Sequence, residues 1–238
     1  MSLLTTNQLF EPRLAPAVRA VTLDRSVDFS LVKTELPFSH HQKDFLSSLG
    51  IQGKYINIRQ VHGHKVLRAP QETPDDVLLE ADGLITNEPD TILYIRTADC
   101  LPIFLYDKLT HAMGLVHAGW RGTQQSIASR TVKKMTEVFG TQPKNVSVAF
   151  GPCICKDCYK VGEEFLMLFP EDTLVKKREI HFDLIKANER QLEDAGVPTR
   201  RMIRTDVCTF HDERCFSYRR EKEKAGRMLS LMVRSGKR

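Results

Sequence analysis

Three short stretches of this chain carry residue types that together can do metal chemistry: Arg59-Gln60-Val61-His62-Gly63, Thr97-Ala98-Asp99-Cys100-Leu101-Pro102 and His117-Ala118-Gly119-Trp120-Arg121-Gly122-Thr123. Neutral imidazole and thiolate are donors that zinc prefers, and three protein ligands leave a fourth position open for a reacting group. His62, Cys100 and His117 are therefore a candidate catalytic metal set. The same residue types suit a thiol enzyme, with Cys100 as nucleophile and His117 as base. Taken singly, each also has a plainer use as a hydrogen-bonded core histidine or a small buried hydrophobe. Their separations match no short metal signature. What they share is position: each follows an apolar run, at residues 55–58, 92–95 and 113–116, that reads as a strand. Three strand ends are predicted to meet in one place.

Further groups belong beside this set. A strand leading through Gly119 and Gly122 into a helix near Thr123 would present free backbone N–H groups and the positive end of a helix dipole, which suits phosphate; a tight packed turn is the alternative. Cys153-Ile154-Cys155-Lys156-Asp157-Cys158 is a C-x-C-x2-C cluster, and Cys208, His211 and Cys215 are sources of a fourth ligand for a closed, structural zinc site. The alternative is a cysteine-rich loop. In Phe216-Ser217-Tyr218-Arg219-Arg220 the guanidinium groups follow an aromatic segment and can hold phosphate or carboxylate at a pocket wall, against the simpler reading of a solvated charge run. His40 and His41 point in different directions on a helix and read as exposed.

The elements that must position these residues follow from periodicity. Strands are predicted at residues 18–23, 55–59, 65–69, 83–86, 91–97, 103–106, 113–117, 145–150 and 201–207. Helices are predicted from the Ser39 cap to Gly50, from near Thr123 to Gly140, over 161–169 ahead of Pro170, and from the Asp183 cap to Gly196. Residues 1–17 form an irregular lead-in, and 70–81 an acidic loop. Helices interspersed among strands without strict β-α-β repetition predict an α/β fold, a mixed sheet covered by helices, with residues 1–238 as one domain.

Composition excludes several classes. The 238 residues are 41% hydrophobic and 27% charged, typical of a globular protein. No run approaches the ~18 apolar residues of a membrane helix. The opening Met1-Ser2-Leu3-Leu4-Thr5-Thr6 lacks the basic start and apolar middle of a signal peptide, so a cytoplasmic location with six reduced cysteines is expected. The net charge of +5 is interleaved with acidic residues except in the basic tail at 234–238. Nucleic-acid binding is not indicated; the mild positive field suits solubility or an anionic substrate.

The stretches around His62, Cys100 and His117, with Ala81-Asp82-Gly83, Gly151-Pro152, Tyr159-Lys160-Val161-Gly162 and Phe216-Ser217-Tyr218-Arg219-Arg220, resemble in order the YfiH-like family, also called the laccase-domain or polyphenol oxidase family. The resemblance implies a layered α/β/α domain with a mixed sheet, related in architecture to cysteine hydrolases of the cytotoxic-necrotizing-factor type. It implies His62, Cys100 and His117 as ligands of zinc. It also implies phosphorolysis of adenosine, inosine, guanosine and methylthioadenosine, with adenosine deamination besides. Purine nucleosides and phosphate are then the partners, with Arg59, Arg121 and Arg219 expected to hold the anion, and Asp99 or Asp82 to carry protons. The older laccase label implies copper, yet multicopper oxidation needs several clustered copper sites and many more than eight histidines. The Cys153, Cys155, Cys158 cluster departs from the family pattern, so an accessory role would belong to this protein.

Overall fold

The computed structural model describes residues 7–30, 38–72, 78–176 and 178–236. The start of the lead-in (1–6), the centre of the acidic loop (73–77) and the last two residues of the basic tail lie outside the described residues.

In chain order the strands are β1 (Gln8–Phe10), β2 (Val18–Leu23), β3 (Lys54–Ile56), β4 (Val66–Arg68), β5 (Gly83–Thr86), β6 (Thr91–Thr97), β7 (Leu101–Asp107), β8 (Met113–Ala118), β9 (Val146–Phe150), β10 (Leu174–Lys176), β11 (Ile180–Phe182), β12 (Met202–Arg204) and β13 (Met228–Arg234). The α-helices are α1 (His40–Ser48), α2 (Trp120–Gln124), α3 (Ile127–Phe139), α4 (Phe165–Leu168), α5 (Leu184–Asp194) and α6 (Tyr218–Glu221). One sheet has the order β1-β2-β13-β6-β3 and the other β12-β9-β7-β8-β5-β4, while β10 and β11 form a separate hairpin. Both larger sheets are mixed: β3 runs parallel to β6, β4 to β5 and β12 to β9, and the remaining neighbours are antiparallel.

The α/β/α layering with mixed sheets is present, with its central layer doubled. Ile95 and Met232 of the first sheet pack against Phe104, Leu115 and Ala149 of the second. The outer face of the second sheet buries Ile103, Leu105 and Val116 against Val132 and Met135 of α3 and Leu192 of α5. The first sheet buries Val21, Tyr94 and Leu231 under Leu46 of α1. Strands covered on both faces need apolar residues at every position, which is why β6, β7 and β8 read as continuous runs rather than alternations.

Helix ends follow side-chain chemistry. Ser39 and Gln42 form a reciprocal capping box at α1, and Asp183 accepts from the Lys186 N–H at the start of α5. Gly140 closes α3 in the left-handed region at φ 70°. The helix expected to run unbroken from Thr123 is divided, because Ser126 takes φ 61° and separates α2 from α3. The break leaves α2 as a short helix of its own, and its Trp120 and Arg121 line the cavity of the candidate site.

Candidate functional site

Two passages of the chain cross from the first sheet to the second, and both carry a candidate ligand. Between β3 and β4 lies His62; between β6 and β7 lies Cys100, whose predecessor Asp99 makes the reversal at φ 85°. His117 sits inside β8, not beyond its end, opposite Pro102 of β7 in the antiparallel register. Adjacent strands thus bring His117 beside Cys100, and the first crossing delivers His62 on top. The ligand-type atoms of the three residues all lie within 4.8 Å of one another. The two imidazoles meet edge to face, with ring centroids 4.8 Å apart.

Asp82 organises this arrangement from below. It is fully buried, and its carboxylate accepts from the N–H groups of Val61 (3.2 Å), His62 (3.0 Å) and Gly63 (2.7 Å) and from His117 Nδ1 (2.7 Å). The His117 backbone N–H donates to the Asp82 carbonyl at 2.7 Å. An Nδ1–H donated to a buried carboxylate fixes the ring orientation, so Nε2 is the nitrogen turned toward the site, where its lone pair serves a cation once its proton is displaced. The same three amides hold the His62 turn, whose residue 62 stands at φ 58°, a region His tolerates better than most side chains. Gln60 tethers the turn from the other side, donating to the Arg96 carbonyl and accepting from the Arg96 N–H. Sequence reading gave Gln60 no role; a polar side chain mimicking a strand neighbour has no periodic signature.

Two glycines permit the close approach. A Cβ on Gly119 would stand 3.1 Å from Cys100 Sγ and 3.3 Å from the His62 ring, and one on Gly122 only 2.7 Å from the Gly63 carbonyl oxygen. These glycines are thus explained by packing around the ligand set, and α2 is a single short turn.

Charge inside the cluster is polarised. Burial would raise the Cys100 thiol, but the His117 and His62 imidazoles outweigh it and bring the pKa down to about 6. Burial would likewise lower His117, yet the Cys100 thiolate and Asp82 carboxylate raise it to about 9. Without a metal this charge pattern favours a thiolate paired with an imidazolium, so a cation would meet a sulfur that is already deprotonated and would have to displace a proton from His117.

Around the cluster opens a cavity of about 900 Å³ whose walls include Arg59, Asp99, Trp120, Arg121, Tyr159 and Arg219. His62, Cys100, His117, Asp99, Arg59, Arg121 and Arg219 thus face one space, whereas Asp82 lies beneath it and Arg220 and the remaining cysteines lie outside it. Arg59 is 58% exposed and paired with Glu80. Arg121 lies over the Trp120 ring at 4.4 Å, and Arg219 over Tyr159 at 5.4 Å while donating to the Lys160 carbonyl. Arg220 instead turns away into the loop behind, donating to the carbonyls of Thr209, Phe210 and Cys215. Asp99 has both oxygens engaged: Oδ1 accepts from Thr209 Oγ1 and Oδ2 from the Arg219 N–H, each at 2.6 Å.

The six cysteines sort into three environments. Cys100 is in the cavity; Cys153 and Cys215 are buried among apolar side chains. Cys155, Cys158 and Cys208 gather with His211 at the surface, their ligand-type atoms also within 4.8 Å of one another.

The profile of a family described as multi-copper polyphenol oxidoreductase laccase matches residues 37–235. The chain belongs to this family. Among its laccase-domain relatives, a protein of Bacteroides thetaiotaomicron named purine nucleoside phosphorylase is 37% identical over 178 residues, covering 71% of this chain and 66% of that protein, just under two thirds of its length. A protein of an unknown prokaryotic organism named adenosine deaminase RL5 is 32% identical over 193 residues, covering 74% and 73%. The crystal structure of the Bacillus licheniformis hypothetical protein YfiH superposes with a TM-score of 0.80 at 25% identity, over 92% of this chain and 93% of that one. The fold of the laccase-domain family expected from the sequence is therefore the fold observed. No helix among the described residues is long and apolar enough to cross a membrane.

Proposed function

We propose that this protein is a zinc-dependent purine nucleoside phosphorylase acting on adenosine, inosine, guanosine and methylthioadenosine, with adenosine deamination as a second activity. The observation that carries the reading is the three-donor set His62, Cys100 and His117, oriented by buried Asp82 at the floor of a cationic cavity. The donors fit zinc: one thiolate and two imidazoles in one compact set, with the His117 ring oriented by Asp82. Copper oxidation fits less well, because the two Cys/His clusters found among the described residues use three histidines and hold four cysteines between them. When bound, zinc supplies a Lewis acid with one position left for substrate.

The chain's own groups do the rest. Trp120 and Tyr159 offer aromatic faces on which a purine can stack, and their paired guanidiniums, Arg121 and Arg219, lie where an anion can be held. In phosphorolysis a phosphate oxygen attacks C1′ as the C1′–N9 bond breaks, giving ribose 1-phosphate and the free base, which takes a proton. Positioning the phosphate is the larger part of that task. In deamination, water adds at C6 and ammonia leaves. With its oxygens occupied, Asp99 is assigned to holding the backbone at Cys100, and Asp82 to holding His117 and the His62 turn.

A thiol hydrolase reading draws on one observation, the thiolate–imidazolium pair of Cys100 and His117. One experiment separates the two: products from adenosine with and without phosphate, with and without a zinc chelator, alongside Cys100→Ala. Adenine with ribose 1-phosphate, or inosine, lost on chelation and in the variant, supports the proposal. Activity that survives complete metal removal, with covalent trapping of Cys100 by an acyl substrate, defeats it.

A further inference from the structure

The nucleoside reading leaves the cysteine-rich surface beside the cavity unused. Its four ligand-type residues come as two pairs of identical spacing, Cys155-x2-Cys158 and Cys208-x2-His211. Each pair spans a tight turn, closed by hydrogen bonds from Cys158 N–H to the Cys155 carbonyl (3.0 Å) and from His211 N–H to the Cys208 carbonyl (3.2 Å). Such turns put the side chains of residues three apart on one side, the reason C-x2-C and its relatives recur in zinc sites. The two turns are laced together. Cys153 and Cys208 form a parallel bridge, Thr209 N–H donates to the Cys153 carbonyl, and Cys155 N–H donates to Cys208 Sγ at 3.3 Å.

Tetrahedral coordination with zinc–sulfur bonds of about 2.3 Å requires sulfurs about 3.8 Å apart. The four donors already lie within 4.8 Å of one another, and Cys158 Sγ is 3.1 Å from His211 Nε2. His211 is exposed and Cys155 and Cys158 are half-buried, so their side chains have room to adjust toward one ion. We propose that Cys155, Cys158, Cys208 and His211 bind a zinc ion in a closed Cys3His site, distinct from the His62, Cys100, His117 set. Four protein donors leave no open position, so the role is structural. The ion cross-links two loops that reach the cavity: the Ile154 N–H donates to the Asp99 carbonyl, Thr209 Oγ1 to Asp99 Oδ1, and Tyr159 follows Cys158 directly. Arg220 braces the second loop through the Thr209 and Phe210 carbonyls. The site is thus a clasp on the wall that carries Tyr159 and holds Asp99 in its left-handed turn.

The test counts metal, not activity, and so is independent of the nucleoside assignment. The full chain is purified under reducing conditions, and zinc per chain is measured by mass spectrometry for wild type, Cys158→Ser, His211→Ala and Cys100→Ala. The expected result is one equivalent lost in Cys158→Ser and retained in Cys100→Ala, with His211→Ala surrendering that equivalent to a chelator at least tenfold faster than wild type. Cobalt substitution adds a second readout that needs no folded Cys158 variant. In wild type the thiolate-to-cobalt absorption should persist in Cys100→Ala at most of its intensity, as three of the four thiolates remain. Equal metal content and release in wild type, Cys158→Ser and His211→Ala would overturn the proposal. So would cobalt absorption that vanishes with Cys100→Ala, or a disulfide among Cys155, Cys158 and Cys208 in freshly reduced, zinc-supplemented protein.

Discussion

Replacing Asp82 with Asn tests whether one buried carboxylate organises the site. Asp82 Oδ1 receives His62 N–H and His117 Nδ1–H, and Oδ2 receives the Val61 and Gly63 N–H groups. An amide is nearly isosteric but keeps only one acceptor oxygen. Whichever way it is turned, its NH2 faces two donors, so two of the four bonds are lost: those of the Val61 and Gly63 N–H groups at the rim in one orientation, those of the His62 N–H and the buried His117 Nδ1–H in the other. At roughly 1–3 kcal/mol for one buried group left unsatisfied, and little for an N–H that water can reach, metal-free Asp82→Asn should lose about 1–3 kcal/mol of folding stability. If the amide oxygen keeps the amides of Val61 and Gly63, His117 loses its acceptor; zinc affinity should then fall about 10–100-fold, as losses of such outer partners do. Urea unfolding of chelated protein and competitive zinc titration measure the two effects separately. The pH dependence has a definite sign. Burial would raise the Asp82 carboxyl, but His117 and the amides of Gly63 and Val61 outweigh it and hold it below the usual range. Its contribution is complete above about pH 4, the unfolded value, and fades as pH falls through the lower folded value. The gap between wild type and variant should therefore narrow in acid. A variant within 0.5 kcal/mol of wild type at neutral pH, roughly the scale of an ordinary surface change, with unchanged zinc affinity, would refute the reasoning.

Three other perturbations bear on the same site. In chelated protein, alkylation of Cys100, followed by peptide mass spectrometry, should rise with a midpoint near pH 6 and move toward the ordinary thiol value of about 8.5 in His117→Ala; an unchanged midpoint would remove His117 as the cause. Gly119→Ala puts a methyl 3.1 Å from Cys100 Sγ, and overpacking of about 1–3 kcal/mol should appear as weaker zinc binding in titration. Arg219→Ala should raise the KM for phosphate at least tenfold with a smaller change in kcat, whereas an equal fall in kcat alone would argue against anion binding there.

Much of this was legible because the core strands announce themselves. The runs at 91–97, 113–117 and 145–150 became β6, β8 and β9 with boundaries moved by a residue or so, and the caps at Ser39 and Asp183 are where side-chain chemistry puts them. That His62, Cys100 and His117 come together was legible through shared context, each following an apolar run read as a strand. Other parts had no local signal. Strand β13 lies between β2 and β6, yet it directly follows a charge run that reads as solvated, which masks where it begins. The division between α2 and α3 depends on one backbone angle at Ser126, which periodicity does not record. Nor does sequence distinguish Asp82 from Asp99: both adjoin family motifs, and only the fold places one beneath His117 and the other between Thr209 and Arg219. The two cysteine segments were paired from sequence, but only the fold selects Cys155, Cys158, Cys208 and His211 and leaves Cys153 and Cys215 among apolar side chains.

The register of β7 on β8 has a consequence for the order in which the protein assembles. Cys100 and His117 are joined by a hairpin, a connection that closes with little loop entropy and forms early. The first sheet is different, since β2 and β13 meet across most of the chain, as the Thr22–Ser230 hydroxyl pair shows. Two of the proposed donors are therefore neighbours while the first sheet is still open, and His62 arrives when the two layers close. Metal capture by the hairpin pair would seed the barrier crossing, and completion of the triad would report that the sheets have joined. Pulse-labelling hydrogen exchange during refolding should show β7 and β8 amides protected before those of β6 and β13, with added zinc shortening the first phase; simultaneous protection would contradict this order.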